Sequence, residues 1–225
     1  MLLASCSITK ALQTQLNEAR LATAPACNAE YPQTVRVSVL DSLGTGLFAQ
    51  PLVVKTQRRV LPLLLYYNVE KEDLLYLGRP NLAPNLTGNL ACHMEAALAE
   101  AKLHDVLGPG ELTLVIDSVA GRLPYYEDSH GVFAVYTVVS WAEVRIGPAD
   151  LRCRVRYLFK PDGTGPALVG LVRFQSLLPE QEGTVWDGPK TMSKSYLPLV
   201  MQALDTGLAR MAGDVAVGLA RQAPR

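Results

Sequence analysis

The chain lacks almost every signature that would name a chemistry. It contains no G-x-S-x-G elbow, no Walker A loop, no H-E-x-x-H helix and no dinucleotide fingerprint, so the common hydrolase, nucleotide and zinc-protease templates have nothing to rest on. Its cysteines, Cys6, Cys27, Cys92 and Cys153, form no C-x-x-C pair and do not cluster with histidine. That spacing gives no tetrahedral ligand set, and no metal or other cofactor is expected. Charge of one sign is also missing. Lys plus Arg and Asp plus Glu stand at 21 each, leaving no basic field to hold nucleic acid. No apolar run approaches the roughly 20 residues of a membrane-spanning helix, and the best stretch, Val60 to Tyr67, is interrupted by Pro62. Any membrane association must therefore come from an anchor.

What is present describes a folded globular protein. Apolar residues make up 49% of the 225 positions and charged residues 19%, enough to bury a sizeable core in a single domain. After Cys6, the residues Ile8, Leu12, Leu16 and Ala19 recur at helical spacing, and Thr23 to Gln33 has the Pro-containing, polar composition of a linker. The domain is expected to begin near Thr34. Val35, Val37 and Val39 then alternate with polar residues as a half-buried strand does. Leu52 to Thr56 and Val60 to Tyr67 read as a hairpin joined by Gln57-Arg58-Arg59.

Leu74 to Pro84 reads as irregular, followed by a helix capped at Asn85, with Leu86, Leu90, Met94, Ala97, Leu98 and Ala101 on one face and Gly108-Pro109-Gly110 as its stop. His93 and His104 fall on that helix as packed or solvated side chains. Four strand-like runs come next, Leu112 to Val119, Val132 to Ile146, Leu151 to Phe159 and Leu168 to Leu177, and turn signals between them predict an antiparallel meander. If the chain reverses at Gly147-Pro148-Ala149-Asp150, Glu143 meets Arg154, Trp141 meets Arg156, and Arg145 stands against Arg152 as an unpaired like-charge pair. A last helix from Tyr196 to Arg221 carries Leu197, Val200, Leu204, Leu208, Met211, Val215 and Leu219 on one stripe. Gly207, Gly213 and Gly218 weaken its intrinsic helicity, so it depends on packing against the sheet. The order of elements predicts an α+β domain, a mainly antiparallel sheet with two amphipathic helices packed on one face.

Leu3, Ala4, Ser5 and Cys6 resemble, position by position, the lipobox that closes the signal peptide of bacterial lipoproteins. The resemblance implies cleavage before Cys6, acylation of its sulfur and its new amino group, and retention at a membrane. Residues 1–5 are then the remnant of a signal peptide whose basic and apolar portions belong upstream, residues 6–33 a lipid-anchored tether and linker, and residues 34–225 the single domain. Ser7, which is not aspartate, implies sorting to the outer membrane, facing the periplasm. With Cys6 acylated, three cysteines remain, so at most one disulfide forms; apolar packing is the expectation for Cys92 and Cys153. The element order also loosely resembles auxiliary lipoproteins of ABC-type transport systems and other small envelope lipoproteins.

The richest cluster of reactive side chains is Pro124 to His130, read as a loop between strands. Tyr125, Tyr126, Glu127, Asp128 and His130 stand there as a candidate interaction surface, with Arg145 and Arg152 as its cationic extension. The expected function is that of a non-catalytic envelope lipoprotein that contacts a protein partner and a membrane but no nucleic acid. Two alternatives compete with it: a soluble domain binding a small ligand between helices and sheet, and a hydrolase built on Glu127 to His130.

Overall fold

The computed structural model describes residues 34–41, 53–61, 64–77, 79–134, 136–163, 165–184, 187 and 189–223. Cys6, Cys27, the segment from Ile8 to Ala19 and the linker from Thr23 to Gln33 lie outside the described residues. Among the described residues, eight strands form one sheet: β1 (Val35–Asp41), β2 (Val53–Leu61), β3 (Leu64–Leu77), β4 (Gly110–Ala134), β5 (Thr137–Ile146), β6 (Ala149–Pro161), β7 (Leu168–Leu178) and β8 (Gln181–Gly183). The described helices are α1 (Arg79–Glu100), α2 (Leu103–Leu107) and α3 (Pro189–Gln222). Every described pairing is antiparallel except the parallel β1–β4 pair. The α+β architecture read from the sequence is the architecture found.

The sheet is organised around β4, which spans 25 residues. Its first half pairs with β1 and β6, its second half with β3 and β5. Beyond these, β2 flanks β3, β7 flanks β6 and β8 flanks β5. A strand this long keeps one face inward only if its period of two is corrected where the sheet twists. That correction occurs at Asp117, where the β4–β6 register slips by one residue between Ile116 and Ser118. Leu112, Leu114 and Ile116 point into the core before the slip, and Leu123 and Tyr125 do so after it.

The expected reversal at Gly147-Pro148 is absent. β5 and β6 run in the same direction along β4, with Tyr125 opposite Ile146 and Arg122 opposite Asp150. Gly147 and Pro148, joined by a cis peptide bond, supply one extra residue in this line, and the Gly147 amide donates to the Pro124 carbonyl at 2.8 Å. The reversal lies instead between Ala134 and Thr137, inside what the sequence suggested was one strand. Alternation explains the outcome. Val144 and Ile146 before the kink, and Ala149, Leu151, Cys153, Val155, Tyr157 and Phe159 after it, all stay buried on the same side of the sheet. Gly147 adopts φ 97°, a left-handed conformation that glycine tolerates, and a Cβ there would strike the Tyr196 hydroxyl.

The two long helices lie against each other and over β1 and β7. Leu86, Leu90, Met94 and Leu98 of α1 are buried, as are all seven residues of the expected α3 stripe, Leu197 through Leu219. Each such aliphatic side chain contributes about 1.5–3 kcal/mol when taken from water. Boundaries differ from expectation in several places. α3 begins at Pro189 rather than at Tyr196, so Pro198 lies inside the helix. α1 begins at Arg79, so Asn85 lies inside the helix rather than at its cap; Pro80 stands in the first turn, whose amides have no helical partner. It ends at Glu100, because Lys102 turns left-handed with φ 51° and the separate α2 follows, leaving Ala101 exposed. The β2–β3 hairpin turns between Leu61 and Leu64, so Gln57, Arg58 and Arg59 are strand residues, and β3 extends to Leu77 through part of the expected irregular segment.

Candidate interaction surface

Tyr125, Tyr126, Glu127, Asp128 and His130 lie within β4, paired on both sides, and not in a loop. Adjacent strand residues point to opposite faces. Tyr125 and Glu127 therefore share the helix-side face with Ser129, whereas Tyr126, Asp128 and His130 lie on the other. Polar sequence alone suggested a loop; β3 and β5 supply the backbone partners that make it a strand.

On the helix side, Tyr125 is buried, and burial together with the nearby Glu127 carboxylate raises its phenol well above the usual range. The Ser129 hydroxyl donates to Glu127 Oε1 at 3.0 Å. On the opposite face, partial burial and the Glu72 carboxylate push the Tyr126 phenol up, while Arg145 opposes them. The Arg145 guanidinium lies 5.7 Å from the centre of the Tyr126 ring and 3.7 Å from Glu180.

His130 belongs to an aromatic row across three strands. Its Nδ1 shares a hydrogen bond with the Tyr66 hydroxyl at 2.7 Å, and its ring stacks on Trp141 with centroids 5.2 Å apart and planes 13° apart. Nε2 lies 3.2 Å from Asp128 Oδ1, an approach too oblique to count as a hydrogen bond. Directly above this row, Glu70, Asp128 and Glu143 stand in register on neighbouring strands.

Arg145 and Arg152 do not meet. Arg145 stands opposite Tyr126 and Glu182, and Arg152 opposite Ala120 and Gln175. Arg152 grips Asp150 at 2.6 Å, and this bond, with help from Gln175, holds the Asp150 carboxyl below the usual carboxylate range. The expected Glu143–Arg154 and Trp141–Arg156 pairs fail with the register: Glu143 faces Asp128 and Trp141 faces His130. Arg154 and Arg156 both converge on Asp117, at 3.7 Å and 2.7 Å. The bulge thus places a carboxylate that is only 8% exposed beneath two guanidinium groups. A like-charge cross-strand pair does exist, at Arg154 and Arg173.

Sequence reasoning missed the distal end of the sheet. There the row Leu65, Phe133, Val138 crosses three strands on one face, Val139 and Trp141 lie on the other, and Tyr136 occupies the turn. All six are exposed, from 39% for Leu65 to 98% for Tyr136. The signal was the uncharged stretch Tyr136 to Ala142, hidden by reading the hairpin turn as strand interior.

The histidines on the helical segment have structural partners. His93 Nε2 meets Asp205 at 2.8 Å, tying α1 to α3, and the buried His104 faces the Thr34 hydroxyl at 3.2 Å. Cys153 is a buried free thiol. Cys92 differs from the packing expectation, being disulfide-bonded. Among the described residues, no three His, Cys, Asp or Glu side chains gather as metal ligands, and no helix is long and apolar enough to cross a membrane. Comparison with known protein families, with curated protein sequences and with solved structures gives no match.

Proposed function

We propose that the chain is a non-catalytic component of the bacterial cell envelope, anchored by acylated Cys6 in the outer membrane and acting as an accessory of envelope machinery such as an ABC-type transport system. The observation that carries this reading is the disulfide at Cys92. Disulfides persist in oxidising compartments such as the periplasm and are rare in the cytosol. A thioether-linked Cys6 has no sulfur to spare, so this reading requires that the Cys92 disulfide not use Cys6.

Two arrangements favour contact over catalysis. Glu127 and Ser129 lie on one face of β4 and Asp128 and His130 on the other, so the four groups do not converge on a substrate atom as general acid and base must. Between α3 and the sheet, the rings of Tyr157 and Phe174 occupy the space left by Gly170, Gly207 and Gly218, which disfavours a ligand cavity there. The exposed apolar distal end supplies a contact surface instead.

Fractionation of cells expressing the gene with its native upstream sequence tests the anchor. The protein is expected in the outer-membrane fraction and its Cys6→Ala variant in the soluble periplasmic fraction; identical distribution of the two would overturn the reading.

A further inference from the structure

We infer that the free edge of β5 is a homodimer interface, with a second copy of this chain adding its own β5 in antiparallel register centred on Ser140. β8 covers only Val144, Arg145 and Ile146 of β5. Among the described residues, Thr137 to Glu143 therefore have a sheet partner on the β4 side alone. An uncovered strand edge presents unpaired amides and carbonyls, and proteins guard such edges with charge or proline. Among the described residues, other edge strands carry charge: β1 carries Arg36 and β7 carries Arg173. From Thr137 to Ala142, β5 has neither a charge nor a proline.

The pattern is self-complementary. The tight turn pairs Ala134 with Thr137, and in a two-residue hairpin that closing pair exchanges both hydrogen bonds. The backbone groups of Val138, Ser140 and Ala142 then point outward. Ser140 is the midpoint of the free stretch and faces outward, so a twofold axis through it uses the whole edge and forms about six inter-strand hydrogen bonds. In this register Val138 meets Ala142, Val139 meets Trp141, and Thr137 meets Glu143, so no like charges oppose. Val138, Val139 and Trp141, now 62%, 53% and 43% exposed, gain apolar neighbours on both faces. Trp141 would lie between His130 of its own chain and Val139 of the second copy, extending the aromatic row across the axis. A twofold axis requires such an isologous match; this inference does not depend on the lipid anchor.

Light scattering on the full chain carrying Cys6→Ala, in membrane-free buffer, is expected to give twice the 24.4 kDa chain mass. Val139→Lys combined with Trp141→Lys is expected to halve that mass at unchanged secondary-structure content. Ser140→Cys is expected to form a covalent dimer on mild oxidation, because Cα atoms of a hydrogen-bonded pair lie about 5.5 Å apart, within disulfide reach. Leu177→Cys, on exposed β7, is expected not to. A monomeric chain, including one whose distal end instead binds lipid vesicles, would overturn the inference. So would a dimer that survives both lysines, or equal cross-linking of the Ser140→Cys and Leu177→Cys variants.

Discussion

The hydroxyl of Tyr157 in β6 fills the space that a side chain at Gly218 in α3 would occupy, and it accepts a hydrogen bond from the Gln222 amide at 3.1 Å. Helix and sheet approach closely there because the helix carries no Cβ at that point. Gly218→Ala is expected to destabilise the protein by about 1–3 kcal/mol, the cost of overpacking a rigid ring. Gly213 on the same helix has nothing within 4 Å of an added Cβ, so Gly213→Ala is expected to stabilise by about 0.5–1 kcal/mol through helix propensity. Urea denaturation of the two variants measures both signs.

Tyr196 clamps the kink between β5 and β6. Its hydroxyl donates to the Pro179 carbonyl at 2.8 Å and accepts from the Ala149 amide at 3.2 Å. Tyr196→Phe keeps the ring and strands both backbone groups, and a buried group left without its partner costs about 1–3 kcal/mol. Thermal unfolding is expected to show that loss, with amide exchange at Ala149 accelerated more than at strand amides remote from the kink.

Burial pushes the Cys153 thiol from its ordinary 9.0 to about 12, and burial raises the phenols of Tyr125 and Tyr196 as well. In each case the folded chain holds the proton more tightly than the unfolded chain. The associated stability is complete below the unfolded pKa and is lost as pH rises. Stability is therefore expected to decline from about pH 9, with Cys153 contributing a slope of about 1.4 kcal/mol per pH unit until its folded pKa is reached. Denaturation midpoints between pH 8 and 11 test the decline, and Cys153→Ala is expected to flatten it whatever its cost at neutral pH.

Tyr66 and His130 are joined directly across β3 and β4. A double-mutant cycle with Tyr66→Phe and His130→Ala is expected to give a coupling of about 0.5–1.5 kcal/mol, the net worth of one hydrogen bond. Additive losses would place the stability of this row in Trp141 stacking alone.

The parts of the fold legible in the sequence were those governed by one period. The α3 stripe from Leu197 to Leu219 and the α1 face from Leu86 to Leu98 could be read residue by residue, because one helix face buried in a core leaves a repeat near 3.6. The sheet was legible as a set of strands but not as a register. Asp117 and the Gly147-Pro148 step each insert one residue, and the resulting parity shift is visible only with the opposite strand in place. Gly-Pro resembled a turn, and Ala134 to Thr137, which is the turn, carries no Gly or Asn to announce it. The candidate surface suffered from the same cause. Polar Glu127 to His130 suggested a loop because the partners that satisfy their backbone, β3 and β5, are distant or misread in sequence. What brought Tyr66, His130 and Trp141 together was register across three strands, which no spacing along one strand encodes.

Peptide mapping of the envelope-extracted protein by mass spectrometry without reduction reads directly how the four sulfurs are used. A diacylglycerol thioether on Cys6, Cys92 held in a disulfide that does not use Cys6, and a free thiol at Cys153 are expected. A disulfide joining Cys6 to Cys92 would leave no sulfur for the lipid and would contradict the account.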